Sequence, residues 1–384
     1  MATSVTTFDP WQQVYCLSRQ SNLIGNQDRK DTTDNLAKWL GEQLTNFYTA
    51  YKEQMGGTWS TVWGPVVFDT GLDATAQIAD NVMYVAANHD RSMFVVAIAG
   101  TNFNSLLYDV AQEDDAVDKT VEWAAAFPSL SNSTPPGLTP FLSAGTALGV
   151  NNLLGMTDGK TGKTLQEYLA SATSKSATLV FSGHSLGGAL APTLALALFN
   201  SHGGQLSKSD WANVYFYPTA GPTPGNGELF KFVAQEFKPV DLRDQPWQCW
   251  NRVVWNNLDA VPQGWVVELL QKLPELYPHT ATTVEWGVTH PWPPKDLQSE
   301  VDGKVKKSKA GADTGAGPYT QLANRSLPGT PYDDGKKFII PVKDKDSYTA
   351  QMGYQHTAAY DVLFKVESVS PSESAPGPTG RPTR

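Results

Sequence analysis

The chain has 384 residues, of which 40% are hydrophobic, and its formal net charge is -9. This apolar content is enough for a substantial core, and we expect one large domain with added loops. The acidic balance argues against non-specific binding of nucleic acid, because lysine and arginine form no long cluster apart from the short run 304–309.

Other features narrow the class of protein further. Cys16 and Cys249 are the two cysteines and lie far apart in the sequence. One disulfide between them is possible, but a disulfide framework is excluded. No spacing of Cys and His matches a zinc site, and we expect neither a metal nor a cofactor. We also expect no transmembrane anchor, because no run of 18 apolar residues occurs. Residues 1–30 lack a secretory signal, which indicates either no export by that route or a signal already removed.

The first third of the chain predicts a helix and then a β-hairpin. Apolar residues recur on one helical face over 31–55, after two residues suited to capping. The β-rich runs 81–87 and 92–99 flank Asn-His-Asp-Arg at 88–91, which favours a tight turn. His89 belongs to that turn, and we expect it to be exposed.

The next segment has a mixed pattern. An acidic stretch leads into the apolar segment 121–127, which contains Trp123, and then into a loop with prolines. An apolar segment flanked by loops is typical of a mobile lid, placed at about 112–140, but a packed surface helix is the alternative. Helices are predicted over 141–156 and 165–172.

The stretch 178–191 reads as a buried strand, a sharp turn containing Gly-His-Ser-Leu-Gly, and a helix. Gly183 and Gly187 flank Ser185 at two residues on each side, where strand and helix pass too closely for a side chain. A serine in such a turn is clear of its own backbone and next to a helix N-terminus. We predict Ser185 as a nucleophile and the backbone N–H of Leu186 as a donor to an oxyanion.

The pattern Gly-x-Ser-x-Gly is weak alone, since it arises by chance in about one such chain in five at ordinary residue usage. Its strand-to-helix setting strengthens it. A second oxyanion donor is expected from a loop after an earlier strand, and Thr101 lies at such a place. An ordinary strand-ending turn is the alternative for Thr101. His184, inside the elbow, and His202, after its helix, are predicted to be structural.

An acid is expected after the nucleophile, because hydrolases with this turn follow the order Ser, Asp, His. Asp259 comes directly after the predicted strand 252–257 and is the preferred candidate. A turn residue that caps a helix is the alternative role for this Asp. Asp241 and Asp244 are held in reserve.

The base must come later still, and His279, His290 and His356 satisfy that order. His356 is preferred because it precedes the helix-like run 357–366 near the end of the chain. His290 and His279 stay open as alternatives.

Strands that alternate with helices predict an α/β fold with a mostly parallel central sheet covered by helices on both faces. We expect a single domain over 1–366 with an insertion at about 263–350. Residues 302–317, rich in Gly, Lys and Asp, are predicted to be flexible. The Pro- and Ser-rich segment 367–384 is predicted to be a disordered tail.

Taken in order, these pieces resemble the class 3 lipases, the fungal-type triacylglycerol lipases of the α/β-hydrolase superfamily. The resemblance rests on 95–101, on 183–191, on 252–254 with 259–262, and on His356 with Tyr360. It implies the α/β-hydrolase fold and a lid-like insertion after the oxyanion loop.

The resemblance also implies a role for each site residue. Ser185 would be the nucleophile, Asp259 would orient the base, and His356 would transfer the proton. Thr101 and Leu186 would form the oxyanion hole. The chain departs from the family pattern at Ala99, where an Arg is frequent, in lacking a Gly before residue 141, and in the long stretch from the acid to the base.

The function expected from the residues and the resemblance is ester hydrolysis through an acyl-enzyme, with an ester or lipid as substrate and transient contact with a lipid interface. Short-chain esters, phospholipids or feruloyl esters could use the same groups. A non-catalytic binding protein on this fold is the opposing hypothesis.

Overall fold

A computed structural model describes residues 6–71, 79–101, 116–128, 134–242, 244–285 and 287–369. The strands of the described residues are β1 Trp59–Phe68, β2 Asn81–Asn88, β3 Met93–Ile98, β4 Thr120–Glu122, β5 Phe141–Ser143, β6 Ser174–Gly183, β7 Trp211–Phe216, β8 Val240–Asp241, β9 Cys249–Trp250, β10 Val253–Asn256, β11 Thr282–Glu285, β12 Val288–Pro291 and β13 Asn324–Leu327. The α-helices of the described residues are α1 Pro10–Gln20, α2 Leu23–Asn26, α3 Thr33–Ala50, α4 Trp123–Ala126, α5 Ala144–Gly155, α6 Leu165–Ser171, α7 Leu186–Phe199, α8 Gly227–Glu236, α9 Val267–Leu270, α10 Lys295–Gly311, α11 Lys345–His356 and α12 Ala358–Leu363.

The main sheet of the described residues has five strands in the order β1-β2-β3-β6-β7. The pairs β1–β2 and β2–β3 are antiparallel, whereas β3–β6 and β6–β7 are parallel. Parallel pairing continues beyond β7, because Thr219 bridges Val254 and β10 pairs in parallel with β13. The predicted α/β class is confirmed, with the antiparallel pairs at one edge of the sheet.

Helices cover both faces of this sheet, as predicted. Along β3, Phe94 and Val96 point into a core shared with α5 and α7. The alternate residues Val95 and Ala97 point into a second core shared with α1 and α3. This alternation is expected of a strand buried on both sides.

Helix α7 is buried along its whole length, from Leu186 to Phe199. A helix that is apolar on every side can lie only inside a core. The turn that precedes it, which contains Ser185, is therefore anchored between the central strand β6 and a buried helix.

Two local predictions need correction. The predicted helix 141–156 begins three residues late, because Phe141–Ser143 forms β5 and pairs antiparallel with β4. Helix α1 was not predicted, although its start carries a strong signal. Asp9 and Gln12 form a capping box around Pro10, and Pro is favoured at the first turn of a helix.

The prediction that 302–317 is flexible is wrong for its first part. Residues up to Gly311 continue the 17-residue helix α10, in which Leu297 and Val301 are buried four positions apart. Val301 packs in a small core with Ala260 and Trp265. The helical periodicity was not recognised because lysines dominate this segment and apolar residues occupy only a narrow stripe of the helix.

The candidate lid at 112–140 is described only in part, because 112–115 and 129–133 lie outside the described residues. Within the described part, Trp123 and Phe127 are buried in the main core and contact each other edge to face. The alternative of a packed helix therefore fits residues 123–126.

Three further expectations can be compared with the structure. Cys16 and Cys249 are both free and buried. Of the predicted tail, residues 367–369 form a short helical turn with Val369 buried, and 370–384 lie outside the described residues. Among the helices described, none is both long enough and apolar enough to cross a bilayer.

Candidate active site

Ser185 occupies a strained turn between β6 and α7. Its backbone angles are φ 60° and ψ -129°, a conformation that residues with a side chain rarely adopt. A Cβ atom added to Gly183 would lie 2.2 Å from the Gly187 carbonyl oxygen, and one added to Gly187 would lie 2.4 Å from the Ile98 carbonyl oxygen. Both glycines are thus required by close backbone approach, which is the reason inferred from the sequence.

His356 lies beside this serine although the two residues are 171 positions apart. It is the last residue of α11, and its Nε2 lies 2.8 Å from Ser185 Oγ. Its Nδ1 lies 2.9 Å from Asp259 Oδ2. Because a carboxylate accepts hydrogen bonds, we assign the ring hydrogen to Nδ1, which leaves the Nε2 lone pair facing the serine hydroxyl.

Asp259 is fully buried in the turn after β10. Besides the imidazole, its Oδ2 accepts a hydrogen bond from the Tyr360 hydroxyl at 2.8 Å, and its Oδ1 accepts one from the Val261 N–H at 3.0 Å. Three donors compensate the carboxylate for its loss of water. The arrangement fixes both the carboxylate and the ring that it faces.

His184 supports this arrangement from inside the turn. Its Nε2 lies 2.8 Å from the backbone oxygen of His356, and its Nδ1 lies 2.9 Å from Thr219 Oγ1. Since a carbonyl oxygen only accepts, the hydrogen is on Nε2, and Nδ1 accepts from the threonine hydroxyl. Burial, and then the neighbouring His356, hold the pKa of His184 well below its usual range. A neutral His184 is consistent with the structural role predicted for it.

The two predicted oxyanion donors flank the serine on different elements. Leu186 is the first residue of α7, so its N–H has no acceptor within the helix. Thr101 follows Gly100, and a Cβ added to Gly100 would lie 3.0 Å from Ser185 Cβ. The segment that directly follows β3 therefore lies against the nucleophile.

The reserve candidates lie elsewhere. Asp241 forms ion pairs with Arg252 and Arg325 at 2.7 and 2.6 Å, and Asp244 is exposed. His279 pairs with Glu275 and stacks on a tryptophan of the insertion. His290 lies on β12 in the same insertion.

Two contributors were not assigned a role by the sequence analysis. Tyr360 entered only through the resemblance, yet its hydroxyl also accepts the Asn256 N–H at 3.0 Å, and so links β10 to the carboxylate. Nothing in the sequence pointed to Asn22, because its contact with Gly100 joins residues that lie 78 positions apart.

Chemically, this arrangement can move a proton from a hydroxyl to an imidazole while a buried carboxylate stabilises the resulting cation. No group of three or more His, Cys, Asp or Glu within the described ranges could hold a metal ion.

A family model and several solved structures are similar to the chain. The family model for class 3 lipases matches residues 95–264, which include Thr101, the whole elbow and Asp259. No curated protein matches the chain significantly.

Solved structures of lipases are similar to the chain to different degrees. The M37 lipase is 23% identical with a TM-score of 0.71, over 94% of this chain and 93% of that one. Lip2 lipase from Yarrowia lipolytica is 17% identical with a TM-score of 0.43, over 68% and 76%. The triacylglyceride lipase of Rhizomucor miehei is 16% identical with a TM-score of 0.36, over 62% and 77%.

The M37 lipase aligns over nearly all of both chains and supports the α/β-hydrolase fold predicted from the motifs. The family match is centred on the elbow and covers less than half of the chain; over that segment the chain is similar to class 3 lipases, which supports a carboxylic ester hydrolase.

Proposed function

We propose that this chain hydrolyses lipid carboxylic esters through an acyl-enzyme formed on Ser185. The observation that carries the proposal is the pair of hydrogen bonds that joins Ser185 Oγ to His356 Nε2 at 2.8 Å and His356 Nδ1 to Asp259 Oδ2 at 2.9 Å. These two linked hydrogen bonds make the weakly nucleophilic serine hydroxyl reactive, because it loses its proton to the imidazole as it attacks.

In the first half of the reaction, Ser185 Oγ forms a bond with the ester carbonyl carbon, and its proton moves to His356 Nε2. The carbonyl π electrons move to the oxygen, which becomes an oxyanion. When the carbonyl forms again, the bond to the alcohol oxygen breaks, and His356 gives its proton to the departing alcohol. The acyl group stays on the serine.

In the second half, a water molecule replaces the alcohol. Its oxygen bonds to the acyl carbon while His356 takes one proton, and the Ser185 oxygen leaves and takes that proton back. Asp259 keeps its negative charge throughout and stabilises the imidazolium formed in each half. The net reaction is ester plus water to acid plus alcohol.

We assign the oxyanion to the N–H groups of Thr101 and Leu186. The N–H of Leu186 points out of the N-terminus of a 14-residue helix, where the helix dipole favours negative charge. Thr101 follows Gly100, which lies two residues beyond the end of β3 and packs against the serine. Loss of either donor is expected to lower turnover by about 10²–10³.

The lipid preference is supported by the match to class 3 lipases. Short-chain esters, phospholipids and feruloyl esters are the competing substrates, since the bond broken is the same.

For the domain organisation, we propose one catalytic domain over 1–366, with the insertion 263–350 beside the site. The insertion begins after the acid, and its Tyr277 hydroxyl donates to the Leu258 carbonyl at 2.9 Å, next to Asp259. Trp265 packs in one small core with Ala260, the residue that follows the acid. The lid at 112–140 stays a prediction.

A fluorophosphonate probe tests the nucleophile. The folded wild-type protein should be labelled at Ser185, and the variant Ser185→Ala should be neither labelled nor active above a small residual rate. The matched control is Ser182→Ala, because Ser182 lies three residues before Ser185, in β6, and donates to the Tyr217 carbonyl. Labelling of Ser185→Ala at the wild-type rate would eliminate the nucleophile assignment, and an unlabelled wild type would favour the binding protein.

A second experiment tests the substrate class. Rates on a soluble short-chain ester are compared with rates on an emulsified long-chain glyceride, with both normalised to the labelled fraction. A preference for the emulsion supports the lipase assignment. Equal or faster turnover of the soluble ester would reduce the proposal to an esterase.

A further inference from the structure

The turn after helix α1 touches the candidate site from outside the segment that matches the lipase family. Asn22 lies two residues beyond the end of α1. Its Oδ1 accepts a hydrogen bond from the backbone N–H of Gly100 at 2.6 Å. Gly100 is the residue before Thr101, so this contact is one peptide unit away from a proposed oxyanion donor.

Gly100 lies where the pairing of β3 with β2 ends. The N–H of Ala99 still donates to the Val82 carbonyl of β2 at 2.9 Å. The next N–H along the chain is that of Gly100, and the side chain of Asn22 accepts it in place of a strand. The side chain thus extends the hydrogen-bonding of the strand by one residue.

The position requires glycine. A Cβ added to Gly100 would lie 2.5 Å from the His184 carbonyl oxygen and 3.0 Å from Ser185 Cβ, so no side chain fits. Glycine is also the residue with the greatest backbone freedom. Without a partner for its N–H, Gly100 would let the following peptide unit rotate, and the direction of the Thr101 N–H would spread.

Asn22 is itself held in place. Its flanking residues Ser21 and Leu23 are buried, and its own N–H donates to the Arg19 carbonyl at 3.2 Å. Its Nδ2 donates to the Ser18 carbonyl at 3.3 Å. The two side-chain contacts agree on one orientation of the amide, because Nδ2 faces an acceptor and Oδ1 faces a donor.

We propose that Asn22 is a positioning residue for the oxyanion hole: by fixing Gly100, it aims the Thr101 N–H at the oxygen that becomes charged. Asn22 does not touch the reacting atoms. The inference rests on the proposed function, because it assigns a purpose to Asn22 only if Ser185 forms a tetrahedral adduct whose oxygen faces Thr101.

The test uses two variants, Asn22→Leu and Asn22→Ala, that share the loss of the side-chain acceptor but differ in volume. Active sites are first counted by complete labelling with a fluorophosphonate, so that unfolded protein is excluded from every rate. Three quantities are then measured per labelled site: kcat and KM on a soluble ester, and Ki for a trifluoromethyl ketone. This ketone adds to serine and places its oxyanion in the hole.

Both variants are expected to lose about 10- to 100-fold in kcat, with KM changed little, since a misaligned donor is weakened and not removed. The Ki of the ketone should rise by the same factor. The matched control is Gln13→Ala on α1, which removes a hydrogen bond of similar length, 2.7 Å, to the Phe8 carbonyl. It should keep wild-type kcat and Ki per site.

A role confined to folding predicts another result. The variants would then have fewer labelled sites or a lower melting temperature, with kcat and Ki per site unchanged, and that result in either variant overturns the inference. Wild-type protein is measured in parallel. If it is active and labelled, the inference alone has failed; if it is neither, the proposed function has failed with it.

Discussion

His356 and His279 present a useful comparison, because each uses both ring nitrogens and each faces one carboxylate. His356 pairs with Asp259 at 2.9 Å, and His279 pairs with Glu275 at 2.8 Å. The difference lies at the other nitrogen. For His356 it faces the hydroxyl of Ser185, whereas for His279 it faces the Thr280 carbonyl at 3.0 Å.

A hydroxyl can donate or accept, but a carbonyl only accepts. His356 can therefore rest as a neutral ring and take up a proton during reaction. His279 has acceptors on both sides; although partial burial lowers the pKa of His279, the Thr280 carbonyl and then Glu275 raise it overall. A carboxylate beside a histidine does not by itself make a general base; the partner of the second nitrogen decides.

The largest expected effect separates the two histidines directly. His356→Gln should lower kcat by about 10⁶-fold, because loss of the base costs nearly as much as loss of the whole triad. His279→Gln should stay within about twofold of wild type, since an exposed pair far from the chemistry contributes no transition-state stabilisation. Steady-state rates on a soluble ester measure both. If His279→Gln caused the larger loss, the two assignments would have to be exchanged.

Changing the carboxylates gives the next largest effect. Asp259→Asn should lower kcat by about 10⁴-fold, because the amide favours the wrong tautomer of His356. Glu275→Gln is the matched control and should leave kcat unchanged. The same assay is used with labelled sites as the reference. A loss of less than tenfold in Asp259→Asn would show that the imidazole is oriented by another group.

His184 extends the comparison to stability. Its pKa is depressed in the folded protein by burial, so the unfolded chain binds more protons below the ordinary His pKa of about 6.5. Stability should therefore fall as the pH drops below that value, by up to about 1.4 kcal/mol per pH unit from this one group. His184→Gln should reduce that slope.

Urea denaturation between pH 5 and pH 8, at about one-unit steps, measures this slope in both proteins. His202→Gln serves as the control, since His202 follows the C-terminal end of α7 and the elbow precedes its N-terminal end. Parallel pH profiles for wild type and His184→Gln would contradict a buried neutral His184.

The smallest effect has the opposite sign. The pKa of His279 is raised in the folded state, so its stabilisation is complete below about pH 6.5 and is lost as the pH rises through the folded value. Because Glu275 is mostly exposed, solvent screening limits the contribution to under about 0.5 kcal/mol. His279→Gln should lower stability at pH 5 and leave it unchanged at pH 8, as measured by the same denaturation series.

Part of the site could be predicted because its signal is local. The elbow needs glycines two residues before and after the serine, and this spacing can be recognised in the sequence. The contact of Gly183 is local, with the Gly187 backbone, whereas Gly187 itself meets the backbone of Ile98 and Ala99. The chain order of acid and base narrowed the candidates to a few residues. It could not choose among them, because Asp241 and His279 satisfy the same order.

Other parts left little trace in the sequence. The second part of helix α10 was predicted to be flexible because residues 302–317 are rich in Gly, Lys and Asp. The buried face of the helix includes Ser308 and Gly311 beside two apolar residues. The capping box of helix α1 can be recognised in the sequence. The contact between the turn that follows this helix and Gly100 cannot. Asn22 looked like any other turn residue.

The sequence by itself determined the α/β class, the strand-turn-helix around Ser185 and a short list of partners for it, since these follow from residue types within a few positions of one another. Only the tertiary structure decided which histidine contacts Ser185, which acid contacts that histidine and which amide contacts Gly100. Hydrogen bonds between residues 78 to 171 positions apart depend on how the helices pack on the sheet, and short-range patterns do not encode that packing.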